Sequence, residues 1–158
     1  MEVNDIMQIL EKDMKVAVFA TVDENGKPHA RHAHIGVANE QGVFFMTSPT
    51  TDFYKQLEHN PNLAITTMSE EGYLVQVIRI EGKVRQVGKD RLQELLANNP
   101  YVEQVYPDDD IRQGMQVFHL YEGEGFYHSM SQGHKYVFSI GHEEKIDALC
   151  VDFFFVSN

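Results

Sequence analysis

Apolar residues along the chain alternate with polar ones at two different periods. Val16-Ala17-Val18-Phe19-Ala20-Thr21-Val22 is β-branched and apolar, and Asp23-Glu24-Asn25-Gly26-Lys27 follows with the Asn-Gly pair that favours a tight hairpin. The pattern predicts a returning strand over Pro28–Ala38, a turn at Asn39-Glu40-Gln41-Gly42 and a third strand over Val43–Met46. Leu63–Met68 and Tyr73–Val87 read as a hairpin around Ser69-Glu70-Glu71-Gly72. Met115–Tyr121 and Gly125–Met130 read as two late strands separated by a turn at Glu122-Gly123-Glu124, with one more strand over Tyr136–Ile140.

Helical spacing occurs at fewer places. Val3, Ile6, Met7 and Leu10 predict a short N-terminal helix capped by Asn4-Asp5 and covering one end of the β structure. Asp52–Leu57 predicts about two turns that stop before Asn60-Pro61, because a residue preceding proline disfavours the helical region. Lys89–Asn98 carries Leu92, Leu95 and Leu96 on one stripe, Val102–Val105 adds a turn, and Pro107–Asp110 reads as an acidic loop. Six or seven short strands joined by tight turns, with helices inserted, predict a mainly β chain folded as a small closed or split antiparallel β-barrel, with a sandwich as the alternative. One domain is expected over residues 1–140. Residues 141–158 form a tail whose Cys150–Val156 run suits an edge strand, a dimer contact or an aggregation-prone segment.

Charge and composition narrow the partners. A formal net charge of −11 argues against general binding to nucleic acid or anionic membrane, since both would be repelled by most of the surface. The single cysteine, Cys150, excludes an intramolecular disulfide and suits a reducing cytoplasm. No stretch has the length and apolarity of a membrane span, and Met1–Met14 lacks a signal-like apolar run. A soluble cytoplasmic protein is expected.

The candidate chemistry gathers around Phe44–Leu57, where a buried strand passes through Ser48-Pro49-Thr50-Thr51 into a helix whose first N–H groups are available to an anion. Arg31, set between apolar neighbours in a strand, requires either an anion or a carboxylate, and Glu81 is the candidate for a structural ion pair. His32 and His34 share one strand face and His29 with Arg31 the other. Two imidazoles can share a metal, but a closed site needs two further ligands and no second close histidine pair follows, so no metal is expected. There is no Walker sequence, no Gly-x-Gly-x-x-Gly and no Gly-x-Ser-x-Gly. Cys150 has no basic neighbour to activate it.

Several of these segments together carry a resemblance. Arg31-His32-Ala33-His34, the turn at Gly42, Phe45-Met46-Thr47, Leu57-Glu58-His59-Asn60-Pro61, Arg79-Ile80-Glu81-Gly82 and Val117-Phe118-His119-Leu120 resemble the pyridoxamine 5′-phosphate oxidase-like family of FMN-binding split barrels over Val16–Tyr127. The wording Tyr54-Lys55-Gln56-Leu57 is similar to its small bacterial members grouped with nitroimidazole-resistance reductases. The resemblance implies an FMN-dependent oxidoreductase working as a homodimer with flavin at the subunit interface, a small-molecule substrate and a nicotinamide as electron donor. It implies that Arg31 reaches the flavin phosphate or ring, that His32, Ala33 and His34 present backbone groups to the ring edge, and that Met46 and Thr47 cover the ring. Thr50 and Thr51 would then bind the phosphate with Lys55 as the nearest base, and Gln76 or Arg79 would meet the pyrimidine side. Alternatives on the same barrel are a non-catalytic flavin carrier, a haem-binding dimer, a cofactor-free dimer, or a deazaflavin in place of FMN.

Overall fold

The computed structural model describes residues 1–71, 74–141 and 146–148. Helix α1 (Val3–Gln8) continues through a π-helical stretch, Ile9–Met14. The cap lies two residues earlier than expected: the Asp5 carboxylate accepts from the Glu2 backbone N–H at 2.7 Å. Val3, Ile6, Met7 and Leu10 are all buried in the main core, so the predicted apolar stripe is the packing face.

Strand β1 (Val16–Val22) turns at Gly26 into β2 (Pro28–His34), in antiparallel register from Val16 opposite His34 to Val22 opposite Pro28. Gly26 takes a positive φ of 80°, and Asp23 Oδ1 accepts from the backbone N–H groups of Asn25 and Lys27. With His29 Nε2 2.7 Å from the other oxygen, the Asp23 carboxyl is lowered to about 2, the histidine contact being the largest cause.

The predicted returning strand is in fact two. β2 ends at His34 and β3 (Val37–Asn39) begins after the link Ile35-Gly36, leading into β4 (Gly42–Thr47), α2 (Asp52–His59), β5 (Asn62–Glu71) and β6 (Leu74–Val87). A 3₁₀ turn at Lys89–Arg91 then precedes α3 (Leu92–Asn98), α4 (Val102–Val105), α5 (Asp109–Gln113), β7 (Gln116–Ser129), β8 (His134–Ile140) and β9 (Ile146–Ala148). The acidic loop is therefore partly helix, opened by Asp108 Oδ1 accepting from Asp110 N–H at 2.9 Å. Ser69–Glu71 extends β5, so the hairpin connection falls at residues 72 and 73, outside the described residues. Cys150–Val156 also lies outside them.

The turn expected at Glu122-Gly123-Glu124 does not form; β7 runs through it. Gly123 lies opposite Gly82, and a Cβ at Gly82 would come within 2.1 Å of the Glu122 carbonyl oxygen. Two facing glycines allow the strands this close approach, and the ladder overrides the local turn signal.

The hydrogen-bonded strand order is β2-β1-β5-β6-β7-β4-β3, with β8 on β7 and β9 on β8. β2 and β3 thus lie at opposite ends of the path but are consecutive in the chain. A two-residue link spans at most about 10 Å between its flanking residues, so the sheet has to curl until its ends nearly meet. No ladder joins β2 to β3 or β4 among the described residues, and the result is an antiparallel split barrel, as expected. Its interior is filled by Phe19, Phe45, Ile65, Ile78, Ile80, Phe118 and Tyr127, with α1 and Phe53 and Leu57 of α2 packed against them. A second apolar cluster of Val37, Phe44, Leu92, Leu95, Met115 and Val117 seats α3 on the outer side of β3 and β4.

Candidate functional site

A cleft of about 270 Å³ opens at the split. β2 supplies Arg31, His32, Ala33 and His34, the link supplies Gly36, and β4 supplies Met46 and Thr47; Phe53 of α2 closes one end. The opposite wall comes from the inserted helices and their flanking residues: Leu95, Asn99, Val102, Val105, Tyr106 and Met115. Among the described residues β2 has a hydrogen-bonded neighbour on one side only, and residues from both of its faces reach the cleft, where its outer backbone groups face any ligand bound there. Gly36 is required for the wall to close: a Cβ there would meet Leu95 Cδ2 at 2.2 Å and the Phe44 carbonyl oxygen at 2.6 Å.

Arg31 is the fixed point of the site. Its Nη1 donates to the Phe19 carbonyl at 3.1 Å and to Thr21 Oγ1 at 2.7 Å, and its Nη2 donates to Gln56 Oε1 at 2.5 Å. Thr21 Oγ1 in turn donates to Gln56 Oε1 at 2.6 Å. The guanidinium lies over the Phe53 ring, 4.6 Å from its centroid. All these partners are neutral. The expected ion pair with Glu81 does not form: Glu81 stands opposite Ala64, which shares a row with Ala20 and Ala30, and so points to the face opposite Arg31. Burial lowers the Arg31 pKa and nearby Asp52 works the other way.

A guanidinium carries five N–H donors, and the two not used above are Nε–H and the second Nη2–H, which lie side by side on one edge. Among the described residues every buried side-chain nitrogen or oxygen has a partner, so Nε is open to solvent. Arg31 is thus clamped along one edge and presents the other as a bidentate fork suited to an oxyanion.

Thr47 joins this site to the turn into α2. Thr47 Oγ1 lies 3.0 Å from Thr51 Oγ1, which accepts from Tyr54 N–H as the N-cap of α2 and donates to the Ser48 carbonyl. The Ser48 and Thr50 hydroxyls are 2.9 Å apart. His34 is half-buried, and its pKa is lowered mainly by burial and secondarily by Lys15, so its imidazole is biased towards the neutral form.

Of the residues singled out in the sequence, the structure brings Arg31, His32, Ala33, His34, Met46 and Thr47 together in the cleft. Thr51 borders it through its hydroxyl contact with Thr47, Thr50 pairs with the Ser48 hydroxyl outside the cleft lining, and Lys55 is exposed on α2. Gln76 and Arg79 lie elsewhere. Gln76 points into the barrel, where its Nε2 donates to Tyr127 Oη at 2.8 Å. Arg79 sits over Phe126 on the outer face, in a row with Thr66, Val18 and His32. Three strand steps separate it from His32, about 14 Å. Thr21, Gln56 and Phe53, which hold Arg31, and the wall residues Asn99 and Tyr106 carry no motif in the sequence; the one signal is that Gln56 falls on the buried stripe of α2 beside Phe53 and Leu57.

Among the described residues no group of three or more His, Cys, Asp or Glu side chains converges as a metal site, and no helix is long and apolar enough to cross a membrane.

Comparisons with known proteins agree with this architecture. A pyridoxine/pyridoxamine 5′-phosphate oxidase from Haemophilus influenzae is 35% identical over 87 residues, a match spanning 55% of this chain and 40% of that protein. The chain thus spans less than half the length of such relatives. A NimC/NimA family protein from Clostridium acetobutylicum superposes with a TM-score of 0.68 at 23% identity, over 86% of this chain and 91% of that one. A heme binding protein from Mycobacterium smegmatis superposes with a TM-score of 0.61 at 15% identity, over 90% of this chain and 55% of that one. The pyridoxamine 5′-phosphate oxidase family model matches residues 5–124, the stretch from α1 through the Gly82–Gly123 crossing, and the chain accordingly belongs to that family.

Proposed function

We propose that this chain is a cytoplasmic FMN-binding flavoprotein and an oxidoreductase acting on a small molecule, with the flavin held in the cleft at the barrel split. The observation that carries this is Arg31, a cation anchored on neutral acceptors with one two-donor edge uncommitted, in the lining of a cleft of mixed polar and apolar side chains. The residues fit the group at both ends. Met46, Ala33, Phe53 and Met115 offer a surface for a flat conjugated ring, the open edge of β2 offers backbone donors and acceptors along it, and Arg31 faces the anionic tail.

When bound, the flavin supplies hydride and electron transfer. The chain's own residues bind, orient and shield. Gln56 and Thr21 hold Arg31 in one rotamer, Gly36 lets Leu95 close over the link, and Val102, Tyr106 and Leu95 exclude water from one side of the cleft. Reducing equivalents are assigned to a nicotinamide.

A homodimer completes the site in this reading. The outer face of β1, β5 and β6 leaves Val16 39% and Met68 55% exposed beside Val18 and Val77, an apolar surface suited to a second copy. Sedimentation should then give twice the 18.1 kDa chain mass.

A second reading, haem on the same barrel, is favoured by one observation: His32 and His34 both reach the cleft, and a neutral imidazole such as that of His34 is an iron ligand. The absorption spectrum of the reconstituted protein separates the two. Flavin bands that neither shift nor stay with the protein after desalting, together with a Soret band on adding haemin, would replace the first reading with the second.

A further inference from the structure

We propose that Gln8 and Glu11 are positioning residues for the cleft: they take over from β1 along the seam of the barrel and hold in place the stretch Ile35–Ala38, which forms the cleft wall at Gly36. Their role is the same whichever ligand the cleft takes.

The seam is where the chain changes neighbours. β2 pairs with β1 up to His34 opposite Val16, and one residue later the Ile35 N–H still donates to the Lys15 carbonyl at 2.7 Å. β3 then pairs with β4, and no strand lies along its second edge among the described residues. By that point β1 has given way to the helical segment before it. Lys15 makes the change at a φ of 66°, which few residues other than glycine take, and its N–H donates to the Leu10 carbonyl at 2.9 Å.

Two side chains of that segment supply what a strand would have supplied. Glu11 Oε1 accepts from the Ala38 N–H at 2.8 Å, and Gln8 Nε2 donates to the Ala38 carbonyl at 3.1 Å. The two residues are three positions apart, so one face of the helical segment presents an acceptor and a donor side by side, as the edge of a strand does. Ala38 is fully buried, where an unpaired N–H or C=O is costly. From α3, Asn98 Nδ2 donates to the Gly36 carbonyl at 3.2 Å. Ile35, Gly36 and Ala38 are thus fixed by Lys15, Asn98, Glu11 and Gln8, and His34, the last residue of β2 and part of the cleft lining, is joined directly to them. Gln8 and Glu11 do not line the cleft themselves, so they act on it through the seam.

The test compares wild type, Glu11→Ala and Glu11→Gln by NMR, each as the purified full chain with no ligand added. Amide hydrogen exchange is read at Ile35 and Ala38, with Ile65 and Ile80 of the paired central strands β5 and β6 as the measure of global opening. In Glu11→Ala both seam amides should exchange about tenfold or more faster than the change at Ile65 and Ile80 accounts for, because the seam then opens without the rest of the barrel. The His34 imidazole resonances should shift with them. Glu11→Gln keeps an oxygen that accepts from the Ala38 N–H, and should return seam exchange to within about threefold of wild type and His34 to its original position. Seam amides that speed up no more than the central strands, or a Glu11→Gln variant that behaves like Glu11→Ala, overturn the proposal. Fast seam exchange with unmoved His34 resonances also overturns it, since Glu11 would then cover a strand edge without positioning the cleft. Should Glu11→Ala fail to fold, Gln8→Ala, which strands only the carbonyl, is measured in its place, and the same outcomes at Ile35, Ala38 and His34 decide.

Discussion

Replacing Gln56 with leucine tests the device that fixes Arg31. Gln56 Oε1 accepts two hydrogen bonds, from Thr21 Oγ1 at 2.6 Å and from Arg31 Nη2 at 2.5 Å. Thr21 is 2% exposed, so losing the first leaves a buried hydroxyl short of an acceptor, at about 1–3 kcal/mol. The second is a bond from a charged donor, and the half-exposure of Arg31 sets its loss at the low end, about 1 kcal/mol. The apolar leucine side chain recovers about 1 kcal/mol by burial. The net destabilisation is about 1–3 kcal/mol, or roughly 2–12 °C in melting temperature for a domain of this size.

Urea unfolding followed by circular dichroism reads this as a lower midpoint with an unchanged slope. Thr21→Val removes the stranded hydroxyl, so the double variant should be more stable than the sum of the single losses predicts, by about 1 kcal/mol. The freed Arg31 should also bind FMN less well. A loss below about 0.5 kcal/mol, or single losses that simply add, would mean that the Gln56–Thr21 pair does not hold the arginine.

Other parts of the fold give further tests. Gly82→Ala forces a Cβ against the Glu122 carbonyl and should lower the melting temperature by several degrees, about 2 kcal/mol or more, while Gly88→Ala, with nothing within 4 Å, should be neutral or slightly stabilising. Thr51→Ala should cost about 1 kcal/mol through loss of the α2 cap, and Thr51→Ser should restore most of it in the same melts. His119 donates from Nε2 to the Gln41 carbonyl and stacks on Phe44, and burial, with Arg85 and Arg91 nearby, lowers its pKa below the ordinary 6.5. The unfolded chain therefore takes up this proton first as pH falls below 6.5, and native stability drops there relative to higher pH. Relief of acidic repulsion acts in the opposite direction on the whole chain, so the diagnostic is differential: wild type should lose stability relative to His119→Gln between pH 7.5 and pH 5, in matched urea titrations.

The strands were legible wherever alternation met a turn whose residues act alone. Asn25-Gly26 closes its hairpin through Asp23 and a positive φ, all local features. Glu122-Gly123-Glu124 carries an equally good turn signal, yet its conformation is decided by Gly82, about 40 residues away in the chain, across a ladder that no local pattern reveals. The split between β2 and β3 was hidden for a similar reason. Ile35-Gly36 continues an apolar run, and only closure of the sheet shows that this glycine is the seam on which Leu95 rests.

Arg31 was identifiable as a residue in need of partners, and its cleft neighbours His32 to His34, Met46 and Thr47 follow from the family motif. Its actual partners were not readable, because β2 is paired along one side only among the described residues. There the guanidinium stays partly hydrated, so neutral acceptors suffice and no carboxylate is required. Gln76 and Arg79 illustrate the limit of alternation: it gives the face a side chain points to, not its distance from a site across several strands.

The most direct measurement is reconstitution of the purified full chain with FMN, followed by its visible spectrum and flavin fluorescence, with Arg31→Ala alongside. The cleft predicts saturable one-flavin-per-chain binding with shifted flavin bands and quenched emission, weakened in the variant more than in His29→Ala, whose imidazole pairs with Asp23 at the hairpin. A folded chain that leaves the FMN spectrum and emission unchanged, or that binds FMN equally well in all three forms, would contradict the assignment of this cleft.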